Sequence, residues 1–254
     1  MPLITDPIFY LLAIPAVIAL GLSKGGFSGV GQIATPLVAL ILPPLEAAAI
    51  LLPIMLMQDA VAVVVFRKDW DAWNLKVLLP GAVLGIGAGW LFAAYVSSAL
   101  ISVLLGVTSI LFVLNSWFRS HHYIKAHRPS ALSGVFWGSL SGFTSTVCQA
   151  GGPPYQMHML PQQLPKMTFV GTTALFFAIV NALKVIPFFA LGQFSIAGFA
   201  TSLALFPFAL ITNALGIWLV RRVPPEIFYK ITYLLVFLIS LELIRSGTAA
   251  LLRG

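Results

Sequence analysis

The chain has 254 residues, 59% of them apolar and only 8% charged, where an ordinary soluble domain carries roughly 25%. Fourteen basic and seven acidic residues cannot wet the surface of a globule this long, and a mean hydropathy of +1.00 agrees. A soluble enzyme, a nucleic-acid binder and a disordered tail are excluded, and the composition is that of an integral membrane protein. The net charge of +7 therefore reads as basic cytoplasmic loops. One cysteine excludes a disulfide framework and any multi-cysteine metal site.

The first six residues contain no cation, and Lys24 is the first basic residue. The opening apolar run is thus expected to stay in the mature protein, since a signal sequence begins with a positive segment. That run, 8–42, is interrupted by a glycine-rich polar stretch at 22–32. Runs at 47–66, 75–96 and 99–118 follow, each about long enough to cross a bilayer at ~20 residues. A second interrupted run occupies 131–161, broken at 144–153, and is followed by spans at 169–191, 196–220 and 227–244. The arms of both interrupted runs read as helices of about 8–14 residues, too short to cross at ~1.5 Å per residue.

The order of elements repeats. Pro80 and Gly89 recur 127 residues later as Pro207 and Gly216, and a shift of 120 sets Gly31 on Gly151. The expected organisation is a first repeat at 1–118, a basic cytoplasmic linker at 119–129 and a second repeat at 130–254. Each repeat is a short interrupted helical hairpin plus three transmembrane helices. Charge arbitrates between two architectures: if each interrupted run were a single broken span, the repeats would be parallel and Arg221 and Arg222 would lie outside. If each hairpin enters and leaves on one side, Arg67, Lys68, Arg119, Lys125, Arg128, Lys166, Arg221 and Arg222 all face the cytoplasm, in loops 67–74, 119–129, 162–167 and 221–226. The fold class is then an all-α polytopic membrane protein of two inverted repeats, with both termini outside.

Irregular backbone survives at membrane depth only inside protein or along a wet cavity, and matched interruptions in two halves point to a transporter's central site. Two oppositely inserted tips would aim free amide groups at a shared space that favours a small anion. The tip residues suit this. Lys24, Gly25, Gly26, Ser28, Gly29, Gly31 and Gln32 belong to the first, and Thr146, Cys148, Gln149, Gly151 and Gly152 to the second. Neither tip carries a carboxylate, which speaks against a cation or metal cargo. Asp59, beside Gln58, and Lys184, near Asn181, occupy equivalent positions at a shift of 125 and are candidates for a coupling or gating pair. Cys148 could offer a soft sulfur to a sulfur-containing substrate.

The segments Gly25-Gly-Phe-Ser-Gly-Val-Gly-Gln-Ile-Ala-Thr-Pro36, Gln149-Ala-Gly-Gly-Pro153 and Gly171-Thr-Thr-Ala174 resemble those of the TauE/SafE family of sulfite and organosulfonate permeases. Gln32 stands where that family usually has glycine, and Pro153 and Pro154 interrupt the second copy. The resemblance implies a secondary transporter of sulfite, sulfoacetate or a related organosulfonate in the bacterial inner membrane, often working outward. Its partners would be that anion, membrane lipids and further copies in a homo-oligomer, with no nucleic acid. No catalytic residue, metal or cofactor is expected, and neither a sodium-type carboxylate cage nor a phosphate-binding loop is present. Two other readings are an anion channel and an intramembrane serine hydrolase built on Ser28 with His158 as base.

Overall fold

In a computed structural model of the protein, described over residues 3–24, 30–118, 129–219 and 226–253, the chain is helical throughout, with no strand among the described residues. Helix α1 spans Pro7–Lys24. A short 3₁₀ turn at Val30–Ile33 leads into α2 (Ala34–Val38), followed by α3 (Pro44–Val65), α4 (Ala72–Tyr95) and α5 (Ser98–Phe118). The second half repeats the order with α6 (Ala131–Cys148), α7 (Gly152–Met159), α8 (Lys166–Ala190), α9 (Ile196–Leu219) and α10 (Glu226–Arg253). Five of these, α1, α3, α4, α8 and α9, are long and apolar enough to cross a membrane. Large apolar side chains such as Leu84 (67% exposed) and Phe189 (76%) point outward, as a lipid-facing surface requires. The protein is a polytopic helical membrane protein.

Local chemistry sets the helix ends. The Asp71 carboxylate accepts from Asn74 N–H at 2.8 Å and Ser130 Oγ accepts from Ser133 N–H at 3.2 Å, capping α4 and α6. Pro44 begins α3, where a missing N–H costs nothing. Both long arms of the interrupted runs exceed the expected lengths: α1 and α6 each have 18 residues, about 27 Å of rise. The polar residues read as interruptions instead continue these helices. Ser23 Oγ donates to Leu20 O at 2.8 Å, and Thr144 and Thr146 donate to Leu140 O (2.8 Å) and Gly142 O (2.9 Å), hiding each hydroxyl on its own helix. Only the returning arms, α2 and α7, are short. The last helix also runs to Arg253, beyond the span expected at 227–244.

Packing is exchange-symmetric. Helix α1 packs on α9 and α6 on α4, while α3 packs on α8 and α5 on α10. Renaming each helix of the first half as its counterpart in the second leaves these four contacts unchanged. Small residues make them close. On α4, a Cβ at Gly81 would lie 2.1 Å from Val135 O and one at Gly85 1.9 Å from Ser139 O. On α6, Gly138 and Gly142 meet Leu78 O and Ala82 O in the same way, each at 2.2 Å. The counterpart contact between α9 and α1 sets a Cβ at Gly216 2.4 Å from Gly21 O. The central α3–α8 pair carries the charged residues considered next.

Candidate functional site

Both interrupted segments reach one cavity of about 120 Å³, well above the ~10–15 Å³ that a single water requires. Ser23, Lys24, Gly31 and Gln32 line it from the first segment; Ser145, Gln149, Gly151, Gly152, Tyr155 and Gln156 line it from the second. The two segments touch: a Cβ on Gly152 would stand 2.6 Å from Gln32 Nε2. Met55 of α3 and a stretch of α8 from Phe169 to Asn181 complete the wall. Lys24 is the only charged residue on that wall among the described residues.

The second tip is held in place from α6. Ser141 Oγ donates to Gly151 O at 2.7 Å, and Ala150 N–H donates to Thr144 O at 3.1 Å. Helix α6 ends at Gln149 in the left-handed region (φ 52°), where glycine is the usual occupant. What a glycine would lack is the carboxamide: Gln149 Oε1 accepts from Lys184 Nζ at 2.5 Å, and Ser145 O accepts from it at 3.3 Å. Gln149→Gly relieves ~1–2 kcal/mol of left-handed strain but forfeits a charge-assisted bond of about 1.5–3 kcal/mol and leaves a buried cation short of acceptors. The expected result is a net loss of thermal stability in detergent. A gain would show that the bond contributes less than the strain.

The first tip and α3 form the matching arrangement. Lys24 Nζ donates to Asp59 Oδ1 in an ion pair, and Asn181 Nδ2 of α8 donates to Asp59 Oδ2 at 2.6 Å. Lys24–Asp59 and Gln149–Lys184 are each separated by 35 residues, and the two pairs correspond at a shift of 125. Asp59 and Lys184, expected to pair with each other, are each taken by the tip of their own half. Asn181 and Lys184, one turn apart on α8, bring Asp59 and Lys184 into one cluster. Gln58 lies behind it, donating to Ala209 O at 3.3 Å and accepting at its backbone carbonyl from Asn213 at 3.1 Å, which ties α3 to α9.

Several expected site residues sit elsewhere. Thr146 is fully buried and bonded within α6, and Cys148 is packed in the apolar core; neither lines the cavity. Gly25, Gly26, Ser28 and Gly29, with the linker residues 119–128 and the arginines at 221 and 222, lie outside the described residues. His158 packs against Trp73 and meets Asn74 Oδ1 at 3.0 Å, and Gln162 Nε2 donates to the same oxygen at 2.8 Å. It fastens α7 to α4, away from the cavity. Asn74→Leu, which strands both partners, is expected to lower stability by about 2–3 kcal/mol; an unchanged melting temperature would contradict that role.

Sequence reasoning missed the apolar half of the wall, made by Tyr155, Phe169 and Phe177, with the Tyr155 hydroxyl 3.0 Å from Thr173 Oγ1. Thr173 lies in the Gly171–Ala174 segment, so that motif was the available signal. The two prolines after Gly152 also matter. Pro153 and Pro154 have no N–H, so the second tip offers fewer backbone donors than a run of glycines would.

The family model described as Sulfite exporter TauE/SafE matches residues 13–243. No curated protein matches, and neither does any solved structure.

Proposed function

The chain belongs to the TauE/SafE family of membrane sulfite exporters, a family of transporters and not of enzymes, and on that premise we propose that it is a secondary carrier for sulfite, sulfoacetate or a related organosulfonate. The observation that supports this reading is the cavity between the two tips, with Lys24 on its wall and no acidic side chain lining it among the described residues. Lys24, Gln32, Gln149 and Gln156 give an anion donors at one end, while Tyr155, Phe169 and Phe177 give it apolar surface at the other. Alternating access would move one half against the other around the tips, the halves being inverted repeats. The exchange-symmetric packing favours such a motion, because each half contributes one helix to each of the four pairings α1–α9, α4–α6, α3–α8 and α5–α10. The ion pair and the Lys184–Gln149 bond sit at the two tips, where breaking and remaking them would gate the site. The membrane would be the bacterial inner one, with the basic loops in the cytoplasm and further copies of the chain as partners.

Liposome flux with sulfite, sulfoacetate, taurine, thiosulfate and carboxylate analogues tests this reading. Saturable uptake of the sulfur anions that accelerates when the same anion is loaded on the far side is the expected outcome. Linear, non-saturating flux would favour a channel. Ser28→Ala is expected to retain partial transport, and complete loss with a hydrolytic product in the wild type would favour the hydrolase.

A further inference from the structure

A second cation stands directly behind the cavity wall. Lys184 is fully buried, and no ion pair joins it to a carboxylate among the described residues. Among the described residues its ammonium donates only to neutral oxygens, those of Gln149 and Ser145. Gln149 in turn lines the cavity. Asp59 is bound on one oxygen by Lys24 and on the other by Asn181, one turn of α8 from Lys184. The tip residues 25–29 contain no ionisable side chain, so they add nothing to the tally. The cluster holds two ammonium groups and one carboxylate.

We propose that Lys24, Asp59 and Lys184 act as one buried triad of net charge +1, which selects a singly charged anion, with Lys184 supplying the surplus. The inference rests on the reading that this cavity binds an anion, and it deepens that reading by fixing the cargo's charge. Uncompensated charge at membrane depth is costly. A monoanion brings the triad to neutrality. A dianion exchanges a surplus of +1 for one of −1 and gains much less. Without Lys184 the Lys24–Asp59 pair is neutral by itself, and any anion would leave negative charge uncompensated. The backbone supplies little of the missing positive character at the second tip, because Pro153 and Pro154 carry no N–H and leave Gly151 and Gly152 as its glycine donors. For sulfite the favoured form is hydrogensulfite. For sulfonates it is a molecule with no second anionic group, or with an ammonium to offset it, which ranks sulfoacetate, a dianion at neutral pH, below sulfite among the proposed cargoes.

The test is a charge series on the purified full-length protein: equilibrium binding of methanesulfonate, a monoanion, against 1,2-ethanedisulfonate, a dianion of similar chemistry. Wild type is expected to favour methanesulfonate by roughly tenfold or more. Asp59→Asn raises the cluster to +2 and should reverse the preference. Asp59→Asn with Lys184→Met returns it to +1 and should restore the monoanion preference. Equal affinities in the wild type, or an unchanged ratio in Asp59→Asn, would overturn the triad while leaving an anion carrier intact. Should the Asp59→Asn variants not fold, Lys184→Met decides: it leaves the cluster neutral and should weaken methanesulfonate binding by roughly tenfold or more, and unchanged binding would overturn the triad. Failure of the wild type to bind any anion, sulfite and sulfoacetate included, would instead sink the carrier reading on which the triad depends.

Discussion

Replacing Lys24 by Met is expected to cost about 3–5 kcal/mol of stability, and adding Asp59→Asn in the same chain is expected to recover most of that loss without recovering anion binding. Asp59 is 2% exposed at its side chain, with Lys24 on one oxygen and Asn181 on the other. Removing the lysine leaves a buried carboxylate with no cation in contact, Lys184 being bonded to Gln149 and Ser145 instead, and this is the expensive way to break a buried pair. Neutralising position 59 removes that charge, and an asparagine there still accepts from Asn181. Binding follows a different logic. Lys24 lines the cavity and Lys184 does not, so the double variant keeps a distant cation but loses the one that reaches the anion. Thermal unfolding in detergent and equilibrium binding on the same samples separate the two effects. A double variant as unstable as Lys24→Met would show that the pair is not what the lysine contributes. Wild-type affinity in the double variant would remove Lys24 from the site.

The second large effect is expected at the seam between α4 and α6. Gly85→Ala places a Cβ where Ser139 O stands, 1.9 Å away. Both atoms in conflict are fixed to the backbone, so relief requires the two helices to part along a seam that also carries Gly81, Gly138 and Gly142. The cost should exceed the ~1–3 kcal/mol of ordinary overpacking, and the variant is expected to yield little monodisperse protein. Two residues along the same helix, a Cβ at Gly87 meets nothing within 4 Å. Gly87→Ala should therefore be neutral or add up to about 1 kcal/mol, since glycine is the poorer helix former. Equal behaviour of the two variants in size-exclusion chromatography and thermal unfolding would contradict the close-packed seam.

The sequence was most legible where one physical constraint acts alone. Long apolar runs separated by short polar loops can only be membrane helices, and the glycine-rich breaks at matching places in two halves pointed to where the backbone leaves the regular helix. The charges Lys24, Asp59 and Lys184 stood out because each is costly at depth. Their pairing did not, because spacing along a helix tells which residues share a face but not which neighbour that face meets. Asp59 and Lys184 looked like partners by equivalence, whereas each half in fact pairs its own tip with its own span; the common separation of 35 residues was the clue. The serines and threonines of α1 and α6 misled for a related reason. A hydroxyl read as a helix breaker in sequence can fold back on its own helix's carbonyls, which lengthens both arms. Cys148 and Thr146 were placed at the tip by position alone, and it is the rotation of α6 that turns them into the core. The aromatic wall was invisible because phenylalanine and tyrosine in an apolar span carry no mark of facing a cavity.

The account stands on the claim that one anion sits between the two tips, touching both. Single cysteines at Gln32 and Gln156, each in a Cys148→Ala background, place a thiol on the cavity wall from opposite segments. Alkylation of both by N-ethylmaleimide should slow in the presence of saturating methanesulfonate, with the same half-maximal concentration at the two positions. Protection at one position only, or at neither while the anion is still transported, would contradict a shared site.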